Sequence, residues 1–246
     1  MSIHVTFTPA GLGKDEVAGR GVFVIDVLRA TTTVCAALHH GARSVIPVSS
    51  IEEAIKLAQT LGSDDVLLAG ERHGLPIAGF ALGNSPLEMT ADRVGGRTLV
   101  MTTSNGTGAL LATQGAAQVF VAAAANLLVA AAKARELLGQ GLDLLVVCAG
   151  RDGRFGLDDA YTAGRLILAV QDDRPRRGEL DDAALATLDL VRHYRGRWDR
   201  PLTRSAAGRH LESIGMAADV AEAAKQDRYP VLPMFHDRRL QLAQPA

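Results

Sequence analysis

The chain has 246 residues, a formal net charge of −1, and 48% hydrophobic against 22% charged residues. Such a chain buries enough apolar surface to offset the entropy lost on ordering, so this composition excludes disorder as the dominant state and indicates a globular protein. The balanced charge argues against a nucleic-acid-binding protein, whose affinity depends on a basic surface.

We find no sequence signal of secretion, membrane insertion or a disulfide scaffold. The first residues, MSIHVTFTPAG, carry no basic segment followed by an apolar one, so we predict no signal peptide. The most apolar stretch, 116–134, is Ala-rich and contains Lys133, whereas a spanning helix needs about 20 strongly apolar residues. Cys35 and Cys148 are the only cysteines and form no C-x-x-C motif. We therefore expect a cytoplasmic protein that does not bind a membrane.

Short runs of apolar and β-branched residues alternate with helical patterns along the chain. In chain order they predict strands at 3–8 and 22–27, a helix at 31–40, a strand at 44–48, a helix at 51–61, strands at 66–69 and 98–103, a helix at 108–114, a strand at 119–122, a helix at 127–138, a strand at 142–149 and a helix at 158–170. The remainder predicts mainly helix to about residue 225 and an extended piece near 230–235. Apolar strands that alternate with helices predict an α/β fold, with a largely parallel or mixed sheet between helical layers (α/β/α).

We treat residues 1–246 as one α/β unit. The polar, Arg-rich stretch 171–179 predicts a surface loop, and the chain becomes mostly helical beyond it. These features leave open a division into two lobes, with a boundary near 110–125 or at 171–180 and a more helical C-terminal part.

Polar residues gather where the predicted strands end, which is where ligands bind in such sheets because helix N-termini present free N–H groups there. The apolar residues 22–25 of the strand at 22–27 are followed by Asp26, Arg29 and three threonines, Thr31–Thr33. A carboxylate in this place is suited to a metal, Arg29 to a two-pronged contact with phosphate, and the threonines to capping and hydrogen bonding. The alternative is an ordinary loop with a threonine cap and a solvated arginine.

Three further turns carry polar or glycine residues. Glu71 and Arg72 follow the strand at 66–69, and the turn at 83–86 contains Asn84 and Ser85. Residues 103–108 close a strand and open a helix with two glycines, which let backbone N–H groups approach an anion. The triplet at 72–74 is also the nucleophile motif of histidine phosphatases, but three residues match easily by chance, so we expect His73 to lie in a surface turn.

The strongest predicted strand, 142–149, is followed by residues that suggest a second candidate chemistry. Cys148 and Arg154 have the C-x5-R spacing of cysteine phosphatases, in which a thiolate attacks phosphate. Phe155 stands where such enzymes have Ser or Thr, so we expect Cys148 to be a buried strand residue. Asp158 and Asp159 begin the next helix, where they either complement its dipole or complete a metal site with Asp26.

Together these motifs resemble the 2-phosphosulfolactate phosphatase family. The segment 24–33 carries the longest match, and it is followed in order by 70–72, 83–86, 103–107, Asn126, 148–150 and 158–164, with similar spacing as far as Asp227 and Pro233. The resemblance implies an Mg²⁺-dependent α/β phosphatase that removes phosphate from 2-phospho-3-sulfolactate, a step toward coenzyme M. Two departures are Asp158, where typical members have Glu, and Ser104, where they have Thr.

From the residues and the resemblance we expect Asp26, Arg29 and Asp159 to be catalytic and Mg²⁺ to be held by Asp26, Glu71, Asp158 and Asp159. The predicted substrate ligands are Thr31, Thr32, Thr33, Arg72, Asn84, Ser85, Asn105, Gly106 and Thr107. The substrate would be a small anionic phosphorylated acid, attacked directly by metal-bound water. A thiolate phosphatase using Cys148 and Arg154, and a non-catalytic protein that binds phosphorylated anions, stay open as alternatives, as does a homo-oligomer.

Overall fold

The computed structural model describes residues 1–62, 65–171 and 179–243. Its strands are β1 Ile3–Thr6, β2 Gly21–Ile25, β3 Ser44–Pro47, β4 Val66–Arg72, β5 Leu75–Pro76, β6 Thr98–Thr102, β7 Gln118–Ala122, β8 Leu144–Cys148, β9 Pro233–His236 and β10 Arg239–Leu242. Its α-helices are α1 Lys14–Val17, α2 Ala30–His39, α3 Ile51–Leu61, α4 Ala91–Val94, α5 Gly106–Leu111, α6 Leu127–Gly139, α7 Leu157–Val170, α8 Asp182–Tyr194, α9 Asp199–Arg204, α10 Ala206–Ser213 and α11 Ala217–Ala223. Short 3₁₀ turns lie at Pro86–Glu88 and Ala124–Asn126.

The described strands form one mixed sheet in the order β1-β8-β2-β7-β9-β10-β3-β6-β4-β5. Two parallel blocks, β1-β8-β2-β7 and β3-β6-β4, lie on either side of the β9–β10 hairpin, which pairs antiparallel with β7 and with β3. Strand β5 pairs antiparallel with β4 at one edge. The predicted α/β class with a mixed sheet is confirmed.

The sheet is covered by helices because its central strands are apolar throughout. Every residue of β2, β6 and β8 is buried. Phe23 of β2 stacks on Phe120 of β7 with ring centroids 5.5 Å apart, and Tyr161 of α7 is fully buried in the same core. Among the described helices, none is both long and apolar enough to cross a membrane.

Local sequence accounts well for α3, whose predicted and observed bounds agree. The Ser50 side chain accepts a hydrogen bond from the backbone N–H of Glu53 at 3.1 Å, which satisfies one free donor of the first turn. The helix ends at Gly62, which has the left-handed φ of 56° that glycine adopts without strain. A start signal and a stop signal in the local sequence, one at each end, therefore fix the bounds of this helix.

The C-terminal hairpin was only partly predicted. We expected one extended piece near 230–235, and the structure has β9 and also β10. β10 has only four residues, of which Leu240 alone is buried, and so short an alternation of polar and apolar residues gives little strand signal. The candidate lobe boundary at 171–180 lies mostly outside the described residues, and 110–125 contains β7, which pairs inside the sheet. The division into lobes stays a prediction.

Candidate active site

A pocket lies where residues from the carboxyl ends of four strands approach one another. Asp26 follows β2, Gly150 follows β8, Glu71 ends β4 and Ser104 follows β6, and all of them line it. Helix α10 closes one side with Ala207, His210 and Leu211. The cavity has a volume of about 80 Å³. A space of this size admits only a small molecule or a small part of a larger one.

Four buried carboxylates surround this pocket. Asp26, Glu71, Asp158 and Asp159 are 7%, 6%, 5% and 3% exposed. Burial raises the pKa of Asp26 to about 7, and the negative charges of Asp158 and Glu71 raise it further. Burial also raises the pKa of Asp158 to about 6. Burial, together with Asp158 and Asp26, holds the pKa of Asp159 well above its usual range. The three aspartates therefore resist ionisation in this pocket, which marks a site that favours a cation.

Two of these carboxylates also hold neighbouring loops together. Asp159 accepts hydrogen bonds from the backbone N–H groups of Val27 and Gly150, both at 2.9 Å, and so joins the loops after β2 and β8. Glu71 accepts from the backbone N–H groups of Ser104 at 2.7 Å and Gly74 at 2.8 Å. The acidic side chains therefore fix the shape of the pocket as well as its charge.

The donor set fits Mg²⁺ bound in part by water and substrate. Mg²⁺ prefers oxygen ligands and is commonly held by one or two carboxylates while it keeps several waters. No ion pair joins any of the four acids to a cationic side chain within the described part of the chain. Among the described residues, no three His, Cys, Asp or Glu side chains are grouped so that together they could hold a metal ion. One or two of the four acids would therefore hold Mg²⁺ together with water and substrate, and the choice of ligands among them stays a prediction.

Arg29 lines the pocket but is gripped by the protein. Its Nη1 donates to Asp219 Oδ2 at 2.6 Å, and its Nη2 donates to the carbonyl oxygen of Gly74 at 2.6 Å. The peptide bond that precedes Arg29 is cis. Sequence reasoning missed Asp219, because it lies 190 residues from Arg29 in a helical segment that carries no motif. The alternative interpretation of Arg29, a solvated arginine in an ordinary loop, is not what the structure shows, since Arg29 is buried.

The three threonines of α2 do not line this pocket, although we expected them to bind substrate. Thr31 Oγ1 accepts from the backbone N–H of Asp26 at 3.2 Å. Thr32 Oγ1 donates to the carbonyl of Val27 at 2.8 Å. Thr33 Oγ1 donates to the carbonyl of Asn84 at 3.1 Å. Their hydroxyl groups therefore shape the loop that carries the acids, because local backbone acceptors compete for them.

Three other expected substrate ligands do not line the pocket, and their side chains form hydrogen bonds within the protein. Arg72 donates to Thr102 Oγ1 at 2.9 Å and to the carbonyl of Glu71 at 2.8 Å. Ser85 Oγ donates to Asp219 Oδ1 at 2.6 Å. Thr107 Oγ1 accepts from the backbone N–H of Thr103 at 3.1 Å. The structure places these side chains in the supports of the pocket, and their expected contact with substrate stays a prediction.

The remaining expected ligands lie at the pocket or beside it. Asn84 and Asn105 line it. Asn84 Oδ1 is buried and has no hydrogen-bond partner among the described residues, which leaves this oxygen free to accept a hydrogen bond or to contact a cation. A Cβ added to Gly106 would lie 2.6 Å from Asp26 Oδ2 and from Ala30 Cβ. Only glycine lets the start of α5 approach Asp26 so closely.

Several pocket residues escaped sequence reasoning. His73 does lie in the expected turn, between β4 and β5 with φ 54°, and it also lines the pocket. Its carbonyl oxygen accepts a hydrogen bond from His210 Nε2 at 2.9 Å, since a carbonyl can only accept. Arg151 lines the pocket from the loop after β8. A short triplet at 72–74 was the only signal for His73, and α10 offered none for His210.

The alternative thiolate chemistry finds no support in this geometry. Cys148 is fully buried in β8, and burial with the nearby Asp159 and Asp158 raises the pKa of its thiol well above the usual value. Arg154 is exposed, and neither residue lines the pocket. A reactive thiolate needs a lowered pKa and access to substrate, so Cys148 has the character of a core residue.

The pocket is small and acidic, is lined by a buried arginine, and lies at the strand ends of an α/β sheet, where such folds bind small ligands. The family model for 2-phosphosulpholactate phosphatase matches residues 6–238. The chain is 41% identical over 229 residues to a probable 2-phosphosulfolactate phosphatase of Symbiobacterium thermophilum, covering 93% of this chain and 96% of the relative. The chain is 39% identical over 237 residues to the corresponding protein of Clostridium acetobutylicum, covering 96% of this chain and 97% of the relative. It is 42% identical over 215 residues to the corresponding protein of Deinococcus radiodurans, covering 85% of each chain.

The chain belongs to the 2-phosphosulfolactate phosphatase family, which is a family of phosphoric monoester hydrolases. The resemblance seen in the sequence motifs is thereby confirmed.

Proposed function

We propose that this protein hydrolyses 2-phospho-3-sulfolactate, or a similar small phosphorylated acid, to the free hydroxy acid and phosphate in a reaction that requires Mg²⁺. The relatives' names give 2-phosphosulfolactate as their substrate. The Mg²⁺ requirement and, in the sulfolactate case, a place in coenzyme M synthesis are part of our proposal. The observation that carries the proposal is the group of four buried carboxylates around one small pocket that Arg29 also lines.

The charge of the pocket supports a cation requirement. The charge of Arg29 is already balanced by Asp219 at 2.6 Å, so ionisation of the four carboxylates would give the pocket an excess of negative charge. A phosphate dianion is repelled by such a wall, because like charges interact strongly in a poorly hydrated site. When bound, Mg²⁺ supplies the positive charge that offsets the acids and polarises the phosphoryl group.

The chain's own residues then bind and orient the substrate. Arg29 keeps N–H donors beyond the two that bond to Asp219 and Gly74, and these can reach phosphate oxygens. Asn84 Oδ1, which has no partner among the described residues, offers a further hydrogen-bond acceptor. Asp26, a buried carboxylate on the pocket wall, can accept the proton of the attacking water. Preorganised polar groups of this kind supply most of the catalysis in phosphoryl transfer.

Direct attack by water agrees with the side chains present. Cys148 lies outside the pocket, and the hydroxyl of Ser104, which lines it, donates its hydrogen to Glu71 at 3.2 Å. We therefore propose no covalent phospho-enzyme.

A screen of small phosphorylated acids tests the function. Phosphate release is measured for 2-phosphosulfolactate, 2-phosphoglycerate and phospholactate, with and without added Mg²⁺, and glycerol 3-phosphate serves as the control without a carboxylate. We expect release from at least one phosphorylated acid only with Mg²⁺. Tight binding without release would support the non-catalytic alternative, and release without any divalent cation would contradict the proposed chemistry.

A further inference from the structure

We propose that Asp219 is a positioning residue for this site: it holds the Arg29 guanidinium in the pocket and, through Ser85, holds the loop that carries Asn84. The inference rests on the proposed function, since it concerns how the same pocket binds the phosphate of its substrate.

Asp219 reaches the pocket region from the C-terminal helices. It lies on α11 and is 3% exposed. Its Oδ2 accepts from Arg29 Nη1 and its Oδ1 accepts from Ser85 Oγ, both at 2.6 Å. One buried carboxylate therefore joins the start of α2 to the loop before the 3₁₀ turn at Pro86–Glu88. Both contacts are short, as expected for charge-assisted hydrogen bonds.

The grip on Arg29 continues into the acidic side of the pocket. Arg29 Nη2 donates to the carbonyl of Gly74, and the backbone N–H of Gly74 donates to Glu71 Oε2 at 2.8 Å. Two fixed contacts leave the guanidinium little freedom to rotate, while three of its five N–H donors stay available. The site thus presents a preorganised arginine, which loses less entropy when an anion binds.

Asp219 also keeps Arg29 away from the pocket acids. Arg29 and Asp26 line the same pocket. Without its partner on α11, the guanidinium would be drawn onto Asp26 and would take the place that a cation needs. Asp219 therefore lets one pocket keep an arginine and a free carboxylate side by side.

The second contact of Asp219, with Ser85, fixes the loop that carries Asn84. Ser85 uses its single hydroxyl hydrogen on Asp219 and accepts from the backbone N–H of Leu87 at 3.3 Å. The next residue back, Asn84, lines the pocket with an unpartnered Oδ1. Fixing Ser85 fixes the backbone on which this amide is carried.

The same helix provides a matched control. Glu222 also lies on α11, is 4% exposed, and accepts from the Tyr229 hydroxyl at 2.7 Å and from Lys225 Nζ at 2.6 Å. It does not line the pocket. Removing the charge of either acid breaks a buried network and lowers stability. Only the Asp219 network leads to the phosphate site, so only its loss should change substrate binding.

The experiment compares Asp219→Asn, Glu222→Gln and Ser85→Ala by thermal melting, steady-state kinetics and inhibition by inorganic phosphate, at saturating Mg²⁺. We expect Asp219→Asn to raise KM and the phosphate inhibition constant by about tenfold or more, the loss of a hydrogen bond to a charged group. Glu222→Gln should lower the Tm comparably and leave both constants within about twofold. Ser85→Ala removes one of the two hydrogen bonds to Asp219 and should raise KM by about threefold, a readout that remains if Asp219→Asn does not fold.

A double-mutant cycle with Arg29→Lys shows whether Asp219 acts through Arg29. In the Arg29→Lys background, which has lost the guanidinium fork, Asp219→Asn should change kcat/KM by no more than about threefold, because coupled residues are not additive. Wild-type KM and phosphate inhibition in Asp219→Asn, equal effects of Glu222→Gln, or fully additive losses in the cycle would overturn the inference. An inactive wild-type protein would instead overturn the proposed function.

Discussion

Asp26 is a buried carboxylate, and its burial opposes the ionised form that a metal ligand needs. It lies at the end of β2, is buried, and has a pKa of about 7 because of desolvation and of Asp158 and Glu71. A folded protein keeps such a group only when something else gains from it. In the proposed function, the gain is an open carboxylate beside the phosphate.

Asp26→Asn keeps the shape of the side chain and removes its charge. We expect kcat to fall by about 10² or more, the order seen when one preorganised electrostatic group is lost. Steady-state kinetics on the folded variant, with circular dichroism as the control for structure, provides the measurement. A kcat/KM close to that of the wild type would remove this loop from the active site.

Cys148→Ser separates the structural reading of the thiol from the catalytic one. The side chain is fully buried in β8 and its thiol pKa is raised by burial. We expect the variant to keep most of the turnover, with a stability loss of roughly 1 kcal/mol from burying a hydroxyl in the sheet. Loss of all activity in a folded variant, with capture of a phosphocysteine on the wild type, would establish thiolate catalysis.

At the scale of elements, the start of α5 is packed against the acid loop. The space that a Cβ on Gly106 would need is taken by Asp26 Oδ2 and Ala30 Cβ, each 2.6 Å away. Gly108, on the same helix, has nothing within 4 Å of the corresponding position.

Gly106→Ala should therefore push Asp26 or α2 out of place, while Gly108→Ala should not. We expect a loss of at least about tenfold in kcat/KM for Gly106→Ala, since small displacements of catalytic groups are costly. Gly108→Ala should be neutral or more stable by up to about 1 kcal/mol, because alanine favours helix over glycine. Equal activities of the two variants would show that α5 does not set the position of Asp26.

The sequence predicted most elements because their signals are local. Apolar runs mark β2, β6 and β8, and caps mark α3, so their positions follow from neighbouring residues. The acids Asp26, Glu71, Asp158 and Asp159 were found because strand ends carry ligands in α/β folds. Asp219 and His210 were not found, because their roles depend on packing of α10 and α11 against distant loops. The threonines of α2 were assigned to substrate because a hydroxyl near a helix start has the same sequence signal whether it binds a ligand or its own backbone.

At the scale of the whole molecule, the pocket acids link stability to pH in the metal-free protein. The pKa of Asp26 is raised from 3.8 to about 7 on folding. Between these values the folded state keeps a proton that the unfolded chain has released, so this group makes stability fall as the pH rises from about 4 to 7. Asp158, with a pKa of about 6, acts in the same direction.

Thermal melting in EDTA of the wild type and of Asp26→Asn, near pH 5 and near pH 8, isolates this contribution. Near pH 5 the wild type has lost only part of this stability, because Asp26 is ionised in the unfolded chain and still protonated in the folded state. The stability of the variant relative to the wild type should therefore be higher near pH 8 than near pH 5 by at least about 1 kcal/mol, or roughly 2–4 °C. A difference that does not depend on pH would contradict the raised pKa.

The central claim is that the buried acids form a metal-dependent phosphatase site, and phosphate release from 2-phosphosulfolactate during chelation and add-back tests it most directly. The wild-type protein is treated exhaustively with EDTA, freed of the chelator, assayed, and assayed again as Mg²⁺ is titrated in. We predict that activity is abolished by chelation and returns with Mg²⁺ along a saturation curve that is weakened or absent in Asp26→Asn. Full activity of the chelated wild-type protein would contradict the account.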